Sequence, residues 1–171
     1  MAKTNIYIGV TQGISFYSKV IKWFQWGNPN THIFYIYEEE LHKEDPIILE
    51  SIAGYGVHKD RLSEAHTPNT PYQIYSLKVT TKQKRIIEEY LEQQIGKSYD
   101  YRGLLGFASR KDTNDNNKLF CTELIYQALN AASVKIYRTL RPIQIYPSLA
   151  IESQLFKFLY SDKTIQRYNY E

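Results

Sequence analysis

Every apolar stretch in this chain is short and is stopped by a turn signal. Asn5 to Val10 runs toward Gly13, His32 to Tyr37 runs into a charged segment, and Ile47 to Ile52 runs into Gly54-Tyr55-Gly56. Runs of this length, rich in β-branched and aromatic residues, are strands of a small sheet. None approaches the roughly 18 to 20 apolar residues that span a bilayer, so no transmembrane segment is expected. Helical patterns fall between some of these strands but not in regular alternation, which excludes a parallel βαβ architecture. The expectation is an α+β protein with short strands and segregated helices.

The helices are readable from periodicity. Tyr17, Val20, Ile21 and Phe24 share one face and predict a helix over Ser15 to Phe24, ended by Gly27-Asn28-Pro29-Asn30. Tyr72 to Val79 predicts a strand, with Thr80-Thr81 capping a helix that carries Ile86, Ile87, Tyr90, Leu91 and Ile95. Gly96 is placed to end that helix. Tyr99 to Phe107 reads as a short helix, Phe120 to Ala131 as a full one, and Pro147 as the start of another. Leu155 to Leu159 reads as a last strand. Ser63 to Pro71 and Lys111 to Lys118 read as loops, and neither is long enough to link domains. Residues 1–171 are therefore expected to form one domain.

Composition narrows the function classes. A single cysteine, Cys121, excludes an internal disulfide framework and a multi-cysteine zinc site. No HExxH, P-loop or GxGxxG is present, so neither a metal nor another cofactor is expected from motif spacing. The net charge of +3 comes from dispersed basic residues and gives a nucleic-acid partner nothing to rest on. The sixteen tyrosines suit half-buried strand surfaces and a binding groove alike. The first residues, MAKTNIYIGVTQG, lack the apolar core and cleavage site of a secretory signal, so a cytoplasmic location is expected.

Cys121 opens the Phe120 to Ala131 helix, on the same face as Leu124, Ile125 and Ala128. A free cysteine there is commonly a small core residue. A helix N-terminus, however, offers free N–H groups and a partial positive charge, which stabilise a thiolate and a developing oxyanion. A thiolate nucleophile needs a base, and histidine is the usual one. His32, at the mouth of an aromatic strand, is favoured over His58 beyond the glycine bend. His42 lies in a charged turn and His66 in a loop. The base needs an orienting acceptor. Glu50, inside the apolar run Ile47 to Ile52, is such a group if the strands of His32 and Glu50 are neighbours, and is otherwise an exposed edge residue.

Together these residues resemble the permuted NlpC/P60 group of papain-like cysteine peptidases, in particular its YiiX/YebB-like branch. Five segments carry the resemblance in order: Asn30 to Tyr37, Leu49-Glu50-Ser51, Gly54 to His58, Gly96 to Tyr101, and Leu119 to Tyr126. The last has the aromatic, Cys, Ser/Thr, Glu, Leu pattern, and it follows the histidine strand as in permuted members. The resemblance implies a small antiparallel sheet or half-barrel packed against helices. It implies Cys121 as nucleophile, His32 as base and Glu50 as its orienter, acting on an amide or ester carbonyl through an acyl-enzyme. A tyrosine commonly lines such sites, and Tyr99, Tyr101 and Tyr7 stand open as candidates. Phe34 and Tyr35 depart from the small and aliphatic residues of the family strand, which implies a bulkier groove floor.

Three functions follow as expectations. The first is a cysteine peptidase or amidase acting on a peptide, including peptidoglycan-derived ones. The second is a lipid-acting acyltransferase or esterase of the lecithin:retinol acyltransferase type, with an acyl-containing small substrate. The third is a non-catalytic module with a tyrosine-rich groove.

Overall fold

The computed structural model describes residues 2–12, 19, 30–66, 70–101, 117–136 and 147–161. Six strands form one antiparallel sheet: β1 (Lys3–Thr11), β2 (His32–Ile36), β3 (Ile47–Ile52), β4 (Gly56–Arg61), β5 (Tyr72–Thr80) and β6 (Phe156–Ser161). Their spatial order is β4-β3-β2-β1-β5-β6. The helices are α1 (Leu62–Ala65), α2 (Thr81–Gln94), α3 (Cys121–Ala131) and α4 (Pro147–Glu152), with a 3-10 turn at Glu38–Glu40. The predicted strands and the α2 and α3 helices lie within a few residues of these bounds. The predicted helix over Ser15 to Phe24 and most of that over Tyr99 to Phe107 lie outside the described residues.

The pleat sorts the sheet residues into two packed sets. Ile8, Ile33, Tyr35, Leu49, Val57 and Leu77 join the apolar faces of α2 and α3 in the main core, with Cys121 among them. Tyr7, Phe34, Ile36, Ile48 and Ile74 form a second cluster with Leu41 and Leu62. Both faces of β1, β2 and β3 are thus covered, which is why these strands read as nearly continuous apolar runs. Helix α2 begins where Thr80 and Gln83 satisfy each other's backbone N–H groups in a capping box. The helix ends at Gln94, so Ile95, expected on its apolar face, is outside it and 43% exposed.

Gly9 and Phe34 face each other across β1 and β2. A Cβ on Gly9 would sit 2.1 Å from Phe34 Cζ, so the phenyl ring occupies the space a side chain would need. The bulk expected at the Phe34 and Tyr35 positions is therefore divided between the two sides of the sheet. Phe34 covers Gly9, while the Tyr35 hydroxyl donates to Glu88 on α2 at 2.9 Å.

Candidate active site

Glu50 sits on β3, between β2 and β4, and is fully buried. The edge-strand alternative is thereby removed, and the apolar run around it is the interior of the sheet. Three histidines surround its carboxylate. His32, the first residue of β2, places Nε2 2.5 Å from Oε2. His66, directly after α1, places Nε2 3.0 Å from the same oxygen. His58, paired with Glu50 in the β3–β4 register, has Nε2 3.6 Å from Oε1. His58 also makes a 3.1 Å contact from Nδ1 to the Gly56 carbonyl. Oε1 itself has no hydrogen-bond partner among the described residues.

Cys121 is the first residue of α3. The N-cap, Phe120, is extended at φ −94° and ψ 170°, and its side chain makes no cap hydrogen bond. The N–H groups of the first turn are therefore not consumed by a capping side chain. Cys121 lies near enough to His32 to contribute to raising its pKa. With Nε2 engaged by Glu50, Nδ1 is the ring nitrogen left for the thiol. The structure thus pairs His32 with Glu50 and places Cys121 in their neighbourhood.

Electrostatics favour a charged His32–Glu50 pair. Burial alone pulls the His32 pKa down, but the Glu50 charge, together with hydrogen bonds to Cys121 and Glu50, outweighs it. The net value rises from 6.5 to about 10. Burial alone would push the Glu50 carboxyl up. The His32 charge and the hydrogen bonds from His32 and His66 reverse this and hold it well below the usual carboxylate range.

Local stitching fixes the approach to Cys121. The Ser51 hydroxyl, one residue after Glu50, donates to the Leu119 carbonyl at 2.5 Å. The Leu119 N–H donates to Ser98 O at 3.1 Å, and Ser98 bridges to Lys118. Residues 96 and 97 are bonded to β4 through Gly96 N to Val57 O at 2.9 Å and Val57 N to Lys97 O at 2.8 Å. Gly56 makes this approach possible. Its φ is +77°, and a Cβ there would lie 2.2 Å from the Lys97 carbonyl oxygen.

The candidate tyrosines separate. Tyr99 is buried against Phe120, the N-cap residue before Cys121, and Ala53. Tyr101 is 41% exposed, meets Tyr99 edge-on at 5.1 Å, and accepts the Gly54 N–H at 2.8 Å. Tyr7 lies in the Phe34 cluster, opposite Ile36 at the far end of β2 from His32.

His66 was the residue hardest to place from sequence. Its segment carries turn signals, and only tertiary structure shows that the single turn of α1 aims the ring at Glu50. Its N–H donates to Leu62 O at 3.0 Å, and its ring lies 5.3 Å from that of His32 and 5.8 Å from that of Phe34. The donor atoms of His32, Glu50 and His66 lie within 4.8 Å of one another. Two imidazoles and a carboxylate are also a donor set for a divalent transition metal. Their spacing along the chain matches no ligand motif.

Among the described residues, no helix is long and apolar enough to cross a membrane. No curated protein matches the chain significantly. Among solved structures, the fold resembles that of yiiX from Escherichia coli O157:H7, described as a metalloprotein. The TM-score is 0.68 at 12% identity, covering 93% of this chain and 97% of that one. The family model for permuted papain-like amidases of the YaeF/YiiX type matches residues 14–164. A match over that much of the chain is decisive, and the protein belongs to this C92 family of cysteine peptidases and amidases.

Proposed function

We propose that the protein hydrolyses an amide bond, of peptide type, with Cys121 as nucleophile, His32 as base and Glu50 as the group that orients His32. The reading rests on one observation above the rest. His32 Nε2 lies 2.5 Å from a fully buried Glu50, and Cys121, near enough to His32 to help raise its pKa, opens a helix.

His32 in its charged form holds the proton given up by Cys121, and the thiolate attacks the carbonyl carbon. Charge gathers on the carbonyl oxygen, where first-turn N–H groups of α3 and the helix dipole stabilise it. The C–N bond breaks as His32 returns its proton to the leaving amine. A water then attacks the thioester, giving its proton to His32, and the acid product leaves with the thiol restored. Glu50 accepts from Nε2–H throughout, fixing the ring and favouring its charged form. Tyr99, packed against Phe120, and Tyr101, edge-on to Tyr99, are the candidates to contact the substrate flanking the scissile bond.

Iodoacetamide alkylation across pH 4 to 10 tests this, because Cys121 is the single cysteine. Cys121 is expected to be alkylated in the folded protein, and its rate at neutral pH is expected to fall in His32→Ala. A thiol that reacts only after unfolding, in wild type and variant alike, overturns the reading and favours a binding module. Hydrolysis of a peptide-amide library by wild type but not Cys121→Ala then fixes the bond type. Acyl transfer from a lipid film in its place would move the assignment to the lipid-acting class.

A further inference from the structure

We infer that Tyr55 and Tyr101, with Gly54 between them, form the walls of a substrate slot that takes an aromatic side chain flanking the scissile amide. That the bond cleaved is an amide rests on the function proposed above; the slot itself does not.

Two exposed rings from different segments meet at the turn between β3 and β4. Tyr55, in that turn, is 81% exposed, more than any other large apolar side chain among the described residues. A lone exposed tyrosine needs no explanation. This ring has a neighbour, however, since its centroid lies 5.8 Å from that of His58. Tyr101 arrives from beyond α2, and its hydroxyl accepts the Gly54 N–H at 2.8 Å. The Tyr101 ring is braced edge-on by buried Tyr99. Between the two stands Gly54, where a Cβ would meet nothing within 4 Å. Its φ of +97° disfavours any larger residue, so the space stays open.

The gap adjoins both halves of the active site. Ala53, the residue before Gly54, packs on Tyr99 and Phe120, and Phe120 directly precedes Cys121. On the other side, His58 has Nε2 3.6 Å from Glu50 Oε1. One packed residue, Phe120, thus separates the slot from the nucleophile. The part of a peptide that meets the slot is therefore a side chain near the scissile carbonyl, not the carbonyl itself.

The lining selects the ligand class. Residues 53–56 carry no charge. Lys59, farther along β4, is already paired with Glu92 and lies over the Tyr37 ring. Uncharged tyrosine rings bind another aromatic ring by offset or edge-on stacking. A sugar needs several hydrogen-bonding side chains around its ring to fix it, and the turn has only the Tyr55 hydroxyl.

The experiment uses the full chain carrying Cys121→Ala, so that no ligand is consumed, and ligand-observed NMR titration. N-acetylphenylalaninamide should bind at least about tenfold more tightly than N-acetylalaninamide, and methyl β-glucoside more weakly than the phenylalanine ligand. Tyr55→Ala should reduce the phenylalanine-to-alanine ratio several-fold, whereas Tyr55→Phe, which keeps the ring, should retain it. Tyr55→Gln is carried in parallel, with thermal melts, in case Tyr55→Ala fails to fold. Phe158→Ala removes an exposed ring on β6, away from the slot, and should leave the ratio as it was. No binding of the phenylalanine ligand, equal binding of the two amides, tighter binding of the glucoside, or a ratio unchanged in the folded Tyr55 variants overturns the slot. So does equal loss in Phe158→Ala. Peptide-amide hydrolysis by the Cys121 protein without aromatic preference refutes the slot and leaves the function standing. Aromatic binding that depends on Tyr55, in a protein that hydrolyses no amide, refutes the function and leaves the slot standing.

Discussion

Replacing Gly56 with alanine separates two costs that glycine usually hides together. Gly54 and Gly56 both have positive φ, at +97° and +77°. An L residue forced into that region costs about 1–2 kcal/mol. At Gly54 the new methyl meets nothing within 4 Å, so Gly54→Ala should cost that amount and no more. At Gly56 the methyl lies 2.2 Å from the Lys97 carbonyl oxygen. That oxygen accepts the Val57 N–H at 2.8 Å, so strand and loop cannot separate without stretching the bond. Overpacking adds about 1–3 kcal/mol, and the lost hydrogen bond about 0.5–1.5 kcal/mol. Gly56→Ala should therefore be less stable than Gly54→Ala by about 2–4 kcal/mol in urea unfolding at neutral pH. Because residues 97 and 98 also hold the segment before Cys121, Gly56→Ala should lower Cys121 alkylation at neutral pH, whereas Gly54→Ala should not. Equal destabilisation by the two substitutions would refute the argument that close approach, rather than backbone conformation, fixes glycine at position 56.

Gly9→Ala should destabilise by about 1–3 kcal/mol through its clash with Phe34, and adding Phe34→Leu should recover part of that in a double-mutant cycle. Strict additivity would rule the contact out. Ser51→Ala removes the hydroxyl bonded to Leu119 and should cost about 0.5–1.5 kcal/mol, with slower Cys121 alkylation than in wild type; an unchanged rate would show that this bond does not position the nucleophile. The His32–Glu50 pair gives stability two pH limits. Glu50, lowered on folding, contributes above its unfolded value of 4.5 and loses that contribution as pH falls through its folded pKa. His32, raised on folding, contributes fully below 6.5 and loses this as pH rises toward about 10. Urea stability in EDTA should therefore peak between about pH 4.5 and 6.5, and Glu50→Gln should flatten both flanks. Flanks of equal slope in that variant would assign the dependence to other groups.

The elements that were legible in sequence are those whose signal is local. The α2 start at Thr80, the α3 start at Cys121 and the β3 run around Glu50 each follow from capping chemistry or periodicity within a few residues. Glu50 was also conspicuous for a thermodynamic reason, since a carboxylate in an apolar strand must find a partner. What that partner would be was not local. His32 and His58 both reach Glu50, one from each neighbouring strand, and only strand order and register distinguish their distances. His66 gave no signal, because a single helical turn has too little periodicity to detect and its importance lies wholly in where that turn points. The setting of Phe34 was hidden for a related reason. Its fit depends on Gly9 opposite, a pairing set by the β1–β2 register.

The position of the nucleophile in the chain bears on how the protein is made. Synthesis delivers the histidine and carboxylate strands first, and the Cys121 helix only after the segment that will anchor it to β4 and β3. A chain emerging from the ribosome can pair β1, β2, β3 and β5 well before it contains a thiol. If Cys121 is the proposed nucleophile, it thus arrives at a partly assembled imidazole instead of waiting exposed beside a growing polypeptide. In the unpermuted order the thiol would be translated ahead of its base, with a longer interval for oxidation or misreaction. On the proposed roles, this chain order sets when hazard and safeguard are manufactured.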